Sequence, residues 1–125
     1  LEDMVSDYFT NPETEEIWFT CTLNENPIAV GYCVPEKLTD RTYNLLAIGV
    51  KKEIQGQGIG KLMMKFIEKY LTDNKKRILI VDTSSDELYN STREFYKKIN
   101  YIEIARIKDF WNDGEDKITF WKKLL

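Results

Sequence analysis

The sequence predicts a mixed α/β fold of the α+β kind, one sheet with a β-α-β crossover at its centre. Three observations carry that prediction. Segments rich in β-branched and aromatic residues alternate with three helical patterns along the 125 residues. A nearly all-apolar run, Tyr43 to Val50, leads through a short connection to three glycines at alternate positions, Gly56, Gly58 and Gly60, and from them into the clearest helical stripe of the chain. With 42% hydrophobic and 31% charged residues and no linker-like composition, residues 1–125 read as a single domain.

Taken in order, Leu1 to about Phe9 reads as a short amphipathic helix with Met4, Val5, Tyr8 and Phe9 on one side, stopped by Asn11-Pro12. Ile17 to Leu23 and Ile28 to Val34 read as a hairpin around the turn residues Asn24 to Pro27. Mirror pairing about that turn sets Cys21 opposite Val30 and Cys33 opposite Trp18, so the two cysteines are expected as unbonded, buried small hydrophobes. Tyr43 to Val50, nearly all apolar, reads as a strand buried on both faces. From Ile59 the apolar residues Leu62, Met63, Phe66, Ile67 and Tyr70 follow at helical spacing, and Lys61, Lys65, Glu68 and Lys69 face water. Arg77 to Asp82 is the next strand, which makes the strand-helix-strand unit a right-handed parallel crossover. A second helix is expected from Ser91 to Ile99, opened by a capping box of Ser91 and Glu94 and ended at Asn100. Tyr101 to Lys108 and Lys117 to Leu124 complete the sheet around the turn Asn112-Asp113-Gly114.

Composition excludes several function classes. A net charge of −3 argues against a nucleic-acid or anionic-membrane partner, since both need a basic face. No run approaches the roughly 18 apolar residues of a membrane span. The start Leu1-Glu2-Asp3-Met4 lacks the basic-then-apolar order of a secretory signal, so a cytoplasmic protein is expected. There is no histidine, which removes the usual serine and cysteine triads and histidine-rich metal sites; no metal is expected. Chemistry must then use carboxylates, tyrosines, backbone or a cofactor.

The glycines match neither of two common phosphate-binding motifs. A Walker loop fails, because only three residues separate Gly56 from Gly60 and Lys61 is followed by Leu62 rather than a hydroxyl. The dinucleotide fingerprint fails, because the third glycine comes one place early. What survives is Gln55-x-x-Gly58-x-Gly60 after a strand and at the start of a helix, which aims free amides and a positive dipole end at one spot. A pyrophosphate fits there.

That motif, within "VKKEIQGQGIGKLMMKFIE", resembles the coenzyme A pyrophosphate loop of the GNAT acetyltransferase superfamily. The segment "YNSTREFYKKINYIEIARIKDFW" is similar to the family's second signature, with Phe95-Tyr96 in place and Asn100-Tyr101 where Gly-Phe is usual. The resemblance covers about Ile17 to Leu124 and implies a GNAT-like fold whose central parallel strands splay apart. It implies that backbone groups of Ile48, Gly49 and Val50 bond the pantetheine arm. It also implies that the loop Gln55, Gly56, Gln57, Gly58, Ile59, Gly60 and Lys61 holds the pyrophosphate, and that Asn90 and Arg93 reach the cofactor. Tyr96 matches the family's general acid for the departing thiolate; its ordinary pKa of about 10 lies near a thiol's, about 8.5. A purely structural tyrosine on the same helix is the alternative.

Asp82 ends the parallel strand, where it is expected to deprotonate the acceptor through water, to bind a substrate cation, or to cap the turn through Thr83 and Ser84. Glu36, Asp40 and Asn44 are the fallback candidates. The chain departs from the family in apparently lacking its usual first strand and helix. This would leave one edge of the hairpin uncovered and favour a homodimer. Ala47 is smaller than the bulky residue expected there and would widen the acceptor side. The resemblance therefore implies direct acetyl transfer from acetyl-CoA to a primary amine of a small molecule or peptide, without an acyl-enzyme. The rival is a non-catalytic coenzyme A-binding or interaction module; a magnesium-ATP site is disfavoured by the failed spacing.

Overall fold

The computed structural model describes residues 4–125. Seven strands form one sheet: β1 (Met4–Thr10), β2 (Ile17–Leu23), β3 (Asn26–Pro35), β4 (Thr42–Val50), β5 (Ile78–Ser84), β6 (Ile102–Asn112) and β7 (Glu115–Lys123). Their spatial order is β1-β2-β3-β4-β5-β7-β6, and only β4 and β5 run parallel. The helices are α1 (Ile59–Asp73), which supplies the crossover between the parallel pair, and α2 (Asn90–Lys98). Both lie on one face, where Phe19, Cys33, Leu45, Leu79 and Phe120 meet Met63, Ile67 and Leu71 of α1 and Tyr96 of α2. Gly31 permits this close approach: a Cβ there would lie 2.9 Å from Cδ1 of Ile67. No helix among the described residues is long and apolar enough to cross a membrane.

Several expectations need correction. Met4 to Phe9, read as helix, belong to β1; Leu1, Glu2 and Asp3 lie outside the described residues. So short a segment is a marginal helix, whereas register with β2 from Met4↔Leu23 to Thr10↔Ile17 satisfies its backbone and brings the Tyr8 ring 4.2 Å from that of Tyr70. The hairpin edge expected to be open is therefore covered, and the argument for a dimer from that edge falls away.

The hairpin turn holds two residues, Asn24 and Glu25, both at positive φ as a primed turn requires. A bulge after Cys21 then pairs Cys21 with Ala29 and Cys33 with Ile17, one residue off the mirror register. The shift puts both free, buried cysteines beneath α1 instead of opposite exposed side chains. The buried stripe of α1 is Ile59, Met63, Met64, Ile67 and Leu71; Leu62, expected inside, is half exposed. The expected capping box is also absent. No side chain caps α2, whose preceding residue is Tyr89, and Glu94 instead lies 3.5 Å from Lys97.

β4 is not buried on both faces throughout. Thr42 to Leu45 are buried, but Leu46, Ala47 and Gly49 are exposed. A bulge lies here, since Tyr32 pairs with Ala47 and Cys33 with Leu45, leaving Leu46 without an opposite residue. Past it, β4 bends away from β5.

Candidate active site

β4 and β5 pair at three positions only, Thr42↔Ile78, Tyr43↔Leu79 and Asn44↔Ile80, while the β3–β4 ladder continues to Val50. From Leu45 onward one edge of β4 faces a gap. The Lys51 amide donates to the Ile28 carbonyl at 2.8 Å, so antiparallel alternation turns Gly49 toward β3 and the backbone groups of Ile48 and Val50 toward the gap. The Val50 carbonyl is already taken, accepting from Nε2 of Gln55 at 3.0 Å. Gln55 thereby braces the connection that follows, a single 3-10 turn over Lys52–Ile54.

Gly56 and Gly58 both have φ +82°, a backbone state that any β-carbon would strain. Gly58 precedes α1, whose first intrahelical bond runs from the Leu62 amide to the Gly58 carbonyl. No side chain caps this end and no acidic residue stands in its first turn, so its amides and positive dipole end have no protein counter-charge. Gly60 is different. A Cβ there would make only ordinary 3.6 Å contact with the Phe95 ring, so packing does not demand glycine at that position. A cavity of about 640 Å³ opens over this helix start, walled by Val50, Gln55, Gly58, Gly60 and Phe95.

A second cavity of about 490 Å³ occupies the gap itself, lined by Leu46, Ala47, Asp82, Tyr89, Trp111 and Glu115 among others. Ile48, Thr92 and Tyr96 line both cavities and so stand at their junction. The Tyr96 ring is held between Phe95, Tyr101 and Phe120, with centroids 5.3–5.7 Å apart, and the residue is only 2% exposed. Burial, reinforced by Cys33, pushes its phenol above the ordinary tyrosine range, so it carries its proton throughout neutral pH.

Asp82 lies on the gap wall. Its carboxylate accepts from Oγ1 of Thr119 at 2.7 Å and Nδ2 of Asn44 at 3.3 Å, and Nζ of Lys117 is 3.9 Å away. It bonds neither Thr83 nor Ser84, so the turn-capping role expected for it is not the one it has. The Asn44 amide also donates to Glu36 at 3.2 Å, which brings two of the fallback residues to Asp82; Oδ1 of Asn44 is buried without a partner. Asp40 is not brought there. It pairs with Arg41 at 2.8 Å on the β3–β4 connection, where the hydrogen-bonded guanidinium holds its carboxyl below the usual range.

Arg93 and Asn90 line neither cavity. The Arg93 guanidinium donates to the carbonyls of Ser84 and Asp86, so it braces the β5–α2 connection, and Asn90 is exposed at the start of α2. Sequence reasoning missed Thr92, Tyr89, Trp111 and Glu115. Thr92 was recoverable, being one helical turn before Tyr96. Trp111, near the end of β6, and Glu115, at the start of β7, carry no local signal: they arrive with the β6–β7 hairpin, in which Lys117 of β7 pairs with Ser84 and Nε1 of Trp111 donates to the Thr83 carbonyl at 3.1 Å.

Comparison with known proteins bears on this geometry. A family model described as an acetyltransferase (GNAT) domain matches residues 14–103. An uncharacterized N-acetyltransferase of Methanocaldococcus jannaschii is 32% identical over 82 residues, 64% of this chain and 51% of that protein. The chain thus spans about half the length of that curated relative. Among solved structures, a GNAT-family protein of Desulfovibrio desulfuricans superposes with TM-score 0.85 at 24% identity, over 88% of this chain and 69% of that one. A GNAT-family acetyltransferase of Elizabethkingia anophelis with acetyl-CoA bound superposes with TM-score 0.81 at 16% identity, over 98% and 99%. At such identities the structural likenesses are likenesses of fold.

Proposed function

The chain belongs to the GNAT acetyltransferase family, and on that premise we propose that it moves an acetyl group from acetyl-CoA directly to a primary amine. The observation that carries the reading is Tyr96, a residue that lines both the cavity over the glycine loop and the cavity in the strand gap. A donor held by its pyrophosphate at the uncapped start of α1 and an acceptor entering through the gap would meet at that residue. Gly60 supports the same assignment, since no contact within the protein demands a bare backbone there. The Elizabethkingia protein, which has the same fold, was solved with acetyl-CoA bound.

In this reading the amides of Gln57 to Lys61 receive the pyrophosphate and the Ile48 and Val50 backbone receives the pantetheine amides. The amine nitrogen attacks the thioester carbon, the carbon–sulfur bond breaks, and Tyr96 gives its proton to the departing sulfur. The nitrogen sheds a proton through water. Asp82, with Thr119 and Asn44 holding its carboxylate, is the proposed acceptor of that proton or the anchor for a cationic substrate. Cys21 and Cys33 are buried beneath α1 and Cys33 is pushed up to about 12 by burial, which argues against an acyl-cysteine route.

Calorimetric titration with acetyl-CoA, beside magnesium-ATP and a Gly58→Glu control, tests the donor. Micromolar binding of acetyl-CoA alone, lost in the control, is expected; binding of magnesium-ATP instead would overturn the reading. A panel of primary amines then separates enzyme from binding module: acetylated product supports the enzyme, whereas donor binding without turnover of any amine favours the module.

A further inference from the structure

The cavity in the strand gap carries a charge that the proposed transfer does not use. Its lining holds two carboxylates, Asp82 and Glu115, and no lysine or arginine. Lys117 stands beside the first of them, with Nζ 3.9 Å from Asp82 and 4.2 Å over the Phe110 ring. Glu115 is different. It has no ion-pair partner among the described residues, and its Oε2 accepts from the Ser84 hydroxyl. The same Ser84 oxygen accepts from the Asp86 amide at 3.0 Å, which leaves its proton for Glu115 and fixes where that carboxylate stands.

Both carboxylates belong to one face of β5. Asp82 and Ser84 are two residues apart on the strand, so their side chains leave it on the same side, about 7 Å apart, with Glu115 held at the second. The exposed members of the lining are otherwise apolar or aromatic, namely Leu46, Ala47, Tyr89 and Trp111. Trp111 is fixed there by its bond to the Thr83 carbonyl. A ligand that answers such a wall has two cations joined by an apolar chain.

We propose that the acceptor is a small aliphatic diamine, one nitrogen of which is acetylated while Glu115 holds the other as an ammonium. The proposal rests on the acetyl-transfer reading above and deepens it. Four or five methylenes set two nitrogens about 6–8 Å apart, which matches the span from Asp82 to Glu115. The methylene chain takes the apolar wall, and the Trp111 ring attracts the distal cation. The attacking nitrogen, at the Asp82 end, forms the amide and sheds its proton as described above; the distal nitrogen neither makes nor breaks a bond. Oδ1 of Asn44, buried without a partner while Nδ2 holds Asp82, gains a donor when an ammonium or its water arrives at that end. Acetylation removes one of the two charges, so the reaction should stop at the monoacetyl product.

The test compares 1,5-diaminopentane, pentylamine and 5-aminopentanoate as acceptors, in the wild type and in Glu115→Gln, which keeps an oxygen for the Ser84 hydroxyl. In the wild type kcat/KM for the diamine should exceed that for pentylamine by about tenfold, through KM, and the aminocarboxylate should be the poorest of the three. The diamine's advantage should shrink as salt is raised. In Glu115→Gln it should disappear, the diamine and pentylamine reaching similar kcat/KM. Equal use of these two amines by the wild type, or a variant that keeps the diamine's advantage, would overturn the proposal. Turnover of other amines but not of the diamine would overturn it and leave acetyl transfer standing. Turnover of no amine would overturn both.

Discussion

The two halves of β4 share β3 as a neighbour and differ in burial and in pairing with β5. Thr42 to Leu45 are buried, paired with β3 on one side and with β5 on the other up to Asn44. Past it β5 is lost while Ala47 to Val50 keep β3, and Leu46, Ala47 and Gly49 are exposed. The first half contributes stability through a closed ladder and a packed core. The second half leaves backbone groups unpaired, a cost that a stable sheet avoids and a binding cleft requires. The bulge at Leu46 is the local device that separates them.

The contrast can be broken at each end. The largest effect is expected at Leu45, 2% exposed: Leu45→Ala should lower unfolding stability by about 2–5 kcal/mol in denaturant titration. Leu46→Ala, one residue on and 55% exposed, should change it by no more than about 0.5 kcal/mol and act instead on the acceptor KM. If both variants lose similar stability, the division of the strand is wrong.

Tyr96→Phe removes one oxygen at the junction of the cavities. On the proposed mechanism kcat falls about 100-fold while donor binding stays within about twofold. Unchanged kcat would make Tyr96 a structural residue. Gly58→Ala, at φ +82°, should cost about 1–2 kcal/mol of stability through backbone strain, and Gly60→Ala less than that. Donor binding should nonetheless weaken in both, because both narrow the cavity over the helix start.

A smaller effect appears on the alkaline side. Burial raises the phenols of Tyr96 and Tyr101 above their ordinary value and raises Tyr43 to about 12. An acid whose folded pKa is raised contributes full stability below its unfolded value, about 10 for tyrosine, and loses it as pH climbs toward the folded value. Stability should therefore be flat to about pH 9.5 and decline from about pH 10 to 12. Spectrophotometric titration should show these three tyrosines ionising with unfolding. Early, reversible ionisation of all seven tyrosines in the folded protein would contradict their burial.

Much of this architecture was legible because it is written in short-range patterns. Alternating and all-apolar runs marked β2 to β5 and β7, and the 3.6-residue stripe from Ile59 marked α1, because these periods are what one-sided burial demands. The glycine loop was legible because positive φ at Gly56 and Gly58 and an uncapped helix start leave a residue-type signature. Met4 to Phe9 was misread because a few residues satisfy either period, and the partner β2 decided between them.

By itself the sequence determined the fold family, the order of its central elements and the position of the glycine loop, since each depends on residues near one another in the chain. Only the tertiary structure decided where β4 leaves β5, which faces Leu46 and Ala47 present, and that Tyr96 stands between two cavities. It also decided that Arg93 braces a connection while Trp111 and Glu115 enter the cleft. Those outcomes depend on register, and register is fixed by the summed packing of strands far apart in sequence, which no local window contains.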